Sequence, residues 1–443
     1  MRSAEIKERV IVKQFSMKPW SHILLLFCLW VSCNEPLNDL PPCNENNPCA
    51  EDACQPENCV EDSTFVGLDT LWSLNLKGSI RNAVLDGDNL YFNLRTDEGF
   101  NIVKVSHSGE LLWEYTNDLP YTAIMHNASN LNALIGQYFD HVFSIDGESG
   151  NELVNSSIGL GIPSTTYGYL IDNYYYSCVH KNDESEAYLV RSDVEDLENW
   201  EVIFTVKRSD VGGSRPNVES VNRWAHPDTQ DEILVFQHRM AFPNRVDLVA
   251  YNLSADSILW WHPEIDENGD SNIRQITISH GRAYFQGTSK LRCFDIATGD
   301  LIWETNYGPW NQGGKFFGLG DIVFTASEDI LVVKYHEGLL ALNAATGAEI
   351  WDKNDDDIHN TSSFTMTMYN DIVFFTHVGN GLTYNGPLWA IRASDGEEIW
   401  MKSTDFATTG SFSGPVLIDE ERKVFYTRHE GNLIAFRMPE DMY

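Results

Sequence analysis

Short runs of alternating apolar and polar residues, separated by glycine, asparagine or aspartate, fill most of the chain. In residues 274–296, RQITISHGRAYFQGTSKLRCFDI, β-branched and aromatic residues alternate with polar ones between turn residues. A period of two is typical of strands with one buried face, and the intervening turn residues predict tight connections. The pattern therefore predicts an all-β protein built from many short strands.

One phrase recurs along these strands: a strand, a glycine-containing turn and a second strand that carries tryptophan. Strong copies are LRCFDIATGDLIWETN, LLALNAATGAEIWDKN and LWAIRASDGEEIWMKS. The tryptophan positions of the strong and weaker copies are Trp113, Trp200, Trp260, Trp303, Trp351 and Trp400, with Leu153 taking that position in one weak copy. The spacing is about 40 to 60 residues, and two further strand patterns precede each copy, which indicates a repeat of four strands.

The two ends of the repeat region complement each other. DTLWSLNL, with Trp72, has a tryptophan strand with no strands before it, whereas the C-terminal unit lacks its tryptophan strand. Pairing them closes a ring, so residues 65–443 are predicted to form an eight-bladed β-propeller, with seven blades as the alternative if the copy at Leu153 is misread. We expect these tryptophans to join neighbouring blades, and the turn glycines to supply a positive φ.

The Ala345-Thr346-Gly347 core, followed by Trp351, resembles the tryptophan-docking repeat of the PQQ-like β-propeller superfamily. This superfamily includes quinoprotein dehydrogenases and a lipoprotein of the outer-membrane β-barrel assembly machine. The resemblance implies the fold; because one fold hosts unrelated functions, activity must be argued from the site.

The N-terminal segment predicts export. From Met17, which is a plausible true start, a lysine-bearing head precedes an apolar run that ends in LWVSC, and this run resembles a bacterial lipobox. Residues 1–32 are therefore predicted to be a signal peptide with lipidation at Cys33; Cys28 is a weaker candidate, and an uncleaved anchor helix is the alternative. Residues 33–64 then form an acidic, cysteine-rich linker.

Four cysteines in this linker, Cys43, Cys49, Cys54 and Cys59, are candidates for two disulfides in an oxidising compartment, with three pairings open. A zinc site is the alternative, although the spacing is looser than that of usual zinc ligands. Cys178 and Cys293 lie in strand patterns and are predicted to be small buried residues.

The formal charge of −35 argues against binding to nucleic acid. No G-x-S-x-G, H-E-x-x-H, Walker or dinucleotide-binding motif is present in the sequence. The acidic stretches at Asp266 and Asp352 are read as solvated loops, and DNYYYSC around Tyr175 as core. We therefore expect no catalytic residues, metal or cofactor.

The longest gap between tryptophan positions, from Trp200 to Trp260, contains a Gly-, Pro- and charge-rich stretch. We interpret it as an enlarged loop of the fourth blade, with Arg215, Arg223 and Trp224 as candidate interaction residues. An ordinary long connection is the alternative.

These patterns favour a non-catalytic, monomeric, lipid-anchored propeller that binds proteins at the outer membrane, on its periplasmic face or at the cell surface. The resemblance implies the barrel assembly machine as a partner. One alternative is a surface lipoprotein that binds glycan or another extracellular ligand, favoured by the acidic segment NEPLND after Cys33. A PQQ-dependent dehydrogenase is less favoured, because the chain has no Cys-Cys pair and no C-x-x-C-H haem site.

Overall fold

The computed structural model shows eight antiparallel sheets that follow one another along the chain, seven of four strands and one of five. It describes residues 68–442 except for 77, 97–98, 118–123, 139, 164–167, 212–214, 241–244, 264–275, 309–312, 316, 318–321, 337, 355–365, 377–386, 403–411 and 430. These residues belong to one compact unit, Asp62–Tyr443. The predicted eight-bladed propeller is confirmed, and each sheet is one blade.

The first strand, β1 (Thr70–Asn75), belongs to the last blade, and the remaining strands form blades in chain order. Blade 1 contains β2 (Ser79–Asp86), β3 (Asn89–Arg95), β4 (Phe100–Ser106) and β5 (Leu111–Asn117). Blade 2 contains β6 (Ile124–Ala128), β7 (Ala133–Tyr138), β8 (His141–Asp146) and β9 (Glu152–Ser157). Blade 3 contains β10 (Ile162–Pro163), β11 (Tyr169–Ile171), β12 (Tyr174–His180), β13 (Glu186–Asp193) and β14 (Glu201–Lys207).

Blade 3 has a fifth strand because its innermost strand is divided into two segments that both pair with β12. Blade 4 contains β15 (Pro216–Ala225), β16 (Glu232–Met240), β17 (Arg245–Asn252) and β18 (Ser257–His262). Blade 5 contains β19 (Ile276–Ser279), β20 (Arg282–Gln286), β21 (Lys290–Asp295) and β22 (Leu301–Asn306). Blade 6 contains β23 (Ile322–Phe324), β24 (Ile330–Tyr335), β25 (Gly338–Asn343) and β26 (Glu349–Asn354).

The last two blades complete the ring. Blade 7 contains β27 (Met366–Tyr369), β28 (Ile372–Thr376), β29 (Leu388–Arg392) and β30 (Glu398–Lys402). Blade 8 contains β31 (Phe412–Asp419), β32 (Val424–His429), β33 (Asn432–Arg437) and β1. Short 3-10 helices span Ser129–Leu131, Arg208–Val211 and Glu440–Met442. As the sequence predicts, the Trp72 strand pairs with the C-terminal strands, with Trp72 opposite Ala435.

The apolar core lies mainly between the blades, in clusters that two neighbouring sheets share. Alternation along each middle strand presents one set of side chains to the preceding blade and the other set to the following blade. For example, Leu234 and Phe236 of β16 pack against blade 3, whereas Ile233 and Val235 pack against blade 5. Cys178 and Cys293 are buried in such clusters, as predicted, and Tyr175 is a fully buried core residue.

Candidate interaction surfaces

The two ends of the strands differ in how they are connected. Because consecutive strands are antiparallel, the first-to-second and third-to-fourth connections of every blade lie at one end, which we call the docking end. The second-to-third connections and the connections between blades lie at the other end, which we call the long-connection end. The longest intervals between consecutive strands separate strand termini at this end: residues 263–275, 307–321, 355–365, 377–387 and 403–411.

At the docking end, the tryptophan of one blade packs on the turn glycine of the next blade. A Cβ on Gly347 would lie 2.6 Å from the ring of Trp303, and the Trp303 indole donates from Nε1 to the carbonyl of Ala344 in the same turn, at 3.0 Å. Equivalent pairs are Trp72 with Gly109, Trp113 with Gly150, Trp260 with Gly299, and Trp351 with Gly396. These glycines also have positive φ, for example 70° at Gly347. Each turn therefore needs glycine for two reasons, conformation and close approach.

A β-bulge sets which outer-strand residue takes the docking position. Between the third and fourth strands of all eight described blades the register skips one residue, as where Cys293 pairs with Trp303 and Phe294 with Leu301. The skipped residues are Leu71, Leu112, Leu153, Ile203, Leu259, Ile302, Ile350 and Ile399. The residue after each bulge turns inward and docks.

This register corrects two sequence interpretations. Leu153 is the bulge residue of β9 and is 57% exposed, so Val154 takes the tryptophan position of blade 2. In blade 3, Phe204 takes that position, with its ring centroid 5.0 Å from that of Phe236 in blade 4. Trp200 precedes β14 and donates from Nε1 to Leu197 O of its own blade at 3.0 Å, so it does not dock on the following blade.

Trp400 docks on the C-terminal segment instead of on a turn. Blade 8 has no turn between its third and fourth strands, because β33 and β1 come from opposite ends of the chain. The Trp400 indole contacts Sδ of Met442 from Nε1 at 3.4 Å, and Met438 and Met442 pack in the same cluster. The C-terminal residues thus occupy the place of the missing turn.

The predicted interaction loop is corrected, because residues 216–225 form the innermost strand of blade 4. Arg215 precedes this strand at the long-connection end, whereas Arg223 and Trp224 lie near its other terminus. A ten-residue strand spans roughly 30 Å, so the structure does not bring the three residues together. Periodicity alone could not separate this strand from a loop, because charged residues and a register shift between Glu219 and Asn222 interrupt its alternation.

Arg223 and Trp224 make contacts within the propeller. The Arg223 guanidinium pairs with Asp172 of blade 3 and with Glu232 of its own blade. The Trp224 ring is half-buried, and a Cβ on Gly281 of blade 5 would lie 3.2 Å from it. Both residues therefore connect blade 4 to its neighbours.

At the long-connection end, Arg215 joins two elements of blade 3. Its Nη1 lies 3.2 Å from Oε1 of Glu184 in the β12–β13 connection, and its Nη2 contacts Nε2 of His180 at the end of β12. Lys181, Lys207 and Arg208 lie on the same connections. Acidic residues lie on the same segments, namely Asp183, Glu184, Glu186 and Asp210, so charges of both signs meet here.

The innermost strands of the blades form the wall around the central axis, and hydrogen bonds link several of them. The bonds are Asn222 Nδ2 to Ile276 O (2.8 Å), Ser220 N to Tyr169 Oη (2.8 Å), His126 Nε2 to Gly168 O (2.8 Å) and Thr367 Oγ1 to Val416 O (2.7 Å). Burial lowers the pKa of His126, although its bond to Gly168 opposes this effect. His126 is therefore a neutral hydrogen-bond donor in this wall at neutral pH.

We next compare this wall with the needs of PQQ, a planar tricarboxylate that needs aromatic surfaces and cations. Among the described side chains of the innermost strands, Arg223 is the one arginine or lysine, and the aromatic residues are Tyr169, Trp224, Phe324, Tyr369 and Phe412. The carboxylates of Asp172 and Glu232 already bind Arg223. The described wall therefore offers aromatic side chains, but no arginine or lysine besides the paired Arg223, to the carboxylates of this cofactor.

Several predicted features lie outside the described residues: the signal peptide, Cys33, the linker, the cysteines at 43, 49, 54 and 59, and the acidic stretch at 266–271. In the part of the chain that the structure describes, no group of three or more His, Cys, Asp or Glu side chains is arranged to hold a metal ion. No described helix is long and apolar enough to cross a membrane.

Eight antiparallel blades, docked mainly by tryptophan on glycine, define an eight-bladed β-propeller. A family model described as "Outer membrane protein assembly factor BamB" matches residues 244–442, from just before β17 through blade 8. A second model, described as a domain of unknown function, matches residues 75–135, which do not coincide with one blade. No curated protein sequence matches the chain.

Solved structures share the fold at low sequence identity. A europium-containing methanol dehydrogenase is 10% identical, with a TM-score of 0.54, over 81% of this chain and 84% of that one. Saccharomyces cerevisiae Sqt1 is 11% identical, with a TM-score of 0.58, over 84% and 100%. The quinohemoprotein alcohol dehydrogenase ADHIIG from Pseudomonas putida HK5 is 9% identical, with a TM-score of 0.53, over 84% and 76%. Together with the family model, these matches confirm the resemblance to the PQQ-like β-propeller superfamily.

Proposed function

We propose that the chain is a non-catalytic scaffold, anchored to the outer membrane through Cys33, that binds protein partners during β-barrel assembly. The observation that carries this proposal is the match of residues 244–442 to the BamB family model. The export signal predicted from the sequence supports the location, since a lipidated cysteine carrying several acyl chains anchors a protein stably.

The difference between the two ends of the propeller supports a binding role and indicates where partners bind. At the docking end, turns, indoles and the C-terminal segment pack on one another to join the blades. The long-connection end carries the longer segments, and loops on a rigid scaffold are common binding elements. We therefore assign partner binding to the long-connection end, with the charged residues of blades 3 and 4, among them Lys207 and Arg215, as a contributing region.

Cross-linking in cells tests this proposal. Tagged full-length protein is cross-linked mildly, purified from the outer membrane and analysed by mass spectrometry. Enrichment of the barrel-insertion protein with its accessory lipoproteins is expected. Recovery of glycan-uptake or transport proteins without that machine would overturn the assembly role.

A pair of charge reversals locates the binding end. Lys207→Glu changes an exposed residue at the long-connection end, and Arg392→Glu changes a residue of similar exposure at the docking end. We expect Lys207→Glu to reduce partner recovery and Arg392→Glu to leave it unchanged. Loss only in Arg392→Glu would assign binding to the docking end.

A second candidate function is a lipoprotein on the cell surface that binds an extracellular ligand such as glycan. The acidic segment NEPLND directly after Cys33 favours it, because it resembles export signals of surface lipoproteins. Protease treatment of intact cells separates the two functions. Digestion supports the surface function, whereas protection until the outer membrane is opened supports the periplasmic scaffold.

A further inference from the structure

Two basic side chains are in contact between blades 3 and 4 at the long-connection end. His180, the last residue of β12, is 2% exposed. Nη2 of Arg215, the residue before β15, lies against its Nε2. A guanidinium donates hydrogen bonds and does not accept them, so Nε2 of His180 must be the acceptor. The contact therefore requires a neutral imidazole.

Few charges near His180 could balance a proton on it. Glu184 is already 3.2 Å from Arg215, and its side chain is 41% exposed. Several other acidic groups on the adjoining elements have partners: Glu186 pairs with Lys181, Asp183 accepts from Ser185, Asp210 accepts from the Lys207 amide, and Asp247 lies beside His238 of β16. Glu219 of β15 lies close enough to Tyr169 and Cys178 to act on them electrostatically. Lys207 and Arg208 add further positive charge. Protonated His180 would thus face Arg215 at a buried position.

We propose that protonation of His180 releases Arg215 and opens the contact between blades 3 and 4 at the long-connection end. Burial, reinforced by the Arg215 guanidinium, holds the pKa of His180 below its ordinary value of 6.5. The open form takes up a proton more readily than the closed form, so the closed form loses stability as pH falls through about 6.5. The propeller therefore carries an acid-sensitive joint between two blades.

The joint has a consequence for partner binding, and that consequence rests on the proposed scaffold function. Arg215 lies in the charged region assigned to partner contact, so its release would alter that region in acid. The opening itself can be measured in the isolated protein. Failure of the joint and failure of the scaffold function are therefore distinguishable.

Hydrogen exchange of the full chain, measured by mass spectrometry at about pH 7.5 and about pH 5 and corrected for intrinsic rates, tests the proposal. Peptides covering residues 174–188 and 215–225 should exchange several-fold faster in acid, while peptides covering residues 330–343 in blade 6 should not change. An equal change in both regions, or none in the first, would overturn the local joint.

Matched variants identify the titrating group. His180→Gln keeps a hydrogen-bond acceptor that does not titrate, and it should abolish the acid response. His280→Gln, at a 69% exposed histidine of the docking end, should retain it. An unchanged response in His180→Gln would exclude His180. If that variant does not fold, Arg215→Gln provides the second test: peptides covering residues 215–225 should exchange fast at both pH values, and a preserved acid response would contradict the proposal.

Discussion

Blades 4 to 6 and blades 2 and 3 show two versions of the same joint. In the first group, tryptophans stand on glycine turns that leave no room for a Cβ. In the second group, Val154 and Phe204 take the docking position, and the facing turns, residues 194–200 and 253–256, contain no glycine. Tryptophan at the docking position and glycine in the facing turn are thus absent together. Docking residue and turn form one unit that spans two blades.

The comparison predicts that a docked tryptophan contributes more to the free energy of unfolding than Val154, which takes the docking position in blade 2. Trp303→Ala removes a side chain that is 9% exposed and should lower the free energy of unfolding by about 3–5 kcal/mol. Val154→Ala removes less apolar surface from a half-buried site and should cost roughly 1–2 kcal/mol. Urea unfolding of both variants measures the difference, and equal losses would show that the two joints are energetically alike.

Substitution of a turn glycine separates its two roles, which are the positive φ and the close approach of the tryptophan. Gly347→Ala adds a Cβ that would lie 2.6 Å from Trp303 at a φ of 70°, so overpacking adds to backbone strain and about 2–4 kcal/mol should be lost. Gly308→Ala is the matched control, because its φ is 74° and nothing lies within 4 Å. The control should lose about 1–2 kcal/mol from backbone strain alone. Equal losses in thermal or urea unfolding would exclude a contribution from close approach.

Introducing a tryptophan at the docking position of blade 2, as in blade 5, should destabilise the protein. Val154→Trp introduces a large ring beside Val194 and Leu197, where no glycine opens space, and overpacking should cost about 1–3 kcal/mol. Phe204→Trp, a smaller change in volume at the equivalent position of blade 3, should cost less. Denaturant unfolding compares the two, and stabilisation by Val154→Trp would contradict the pairing of tryptophan with glycine.

The smallest expected effect concerns the pH dependence of stability. His126 lies in the wall of blade 2, and burial lowers its pKa from an ordinary value of 6.5. The unfolded chain binds this proton more readily, so stability should fall as pH drops below about 6.5. His126→Gln should reduce the difference in unfolding free energy between about pH 7.5 and about pH 5. An identical pH dependence in native protein and His126→Gln would remove His126 from this account.

The sequence contained enough information for the fold, because period, strand number and ring closure all follow from patterns along the chain. It contained less about the joints. Gly347 and Trp351 stand in one phrase, which suggests local partners, yet Gly347 receives Trp303 of the preceding blade and Trp351 docks on Gly396. Phe204 was missed because the more conspicuous Trp200 lies only four residues before it.

The candidate interaction residues show a different limit of sequence reasoning. Arg215, Arg223 and Trp224 are close in sequence but lie near opposite ends of β15. Their charge and aromatic character were visible, whereas the direction of the strand was not. Only the register of β15 against β16, interrupted by the shift after Glu219, shows that they belong to different surfaces.

The eight bulges have a consequence for the protein at high concentration. Every outer strand is an open sheet edge, and a straight edge with exposed Leu or Ile side chains would be a template for strands of other molecules. A bulge interrupts the ladder and increases the local twist, so such an edge pairs poorly with a second sheet. The register shift that turns each docking residue inward thereby also protects the rim against aggregation, and crowded copies of this propeller should stay separate.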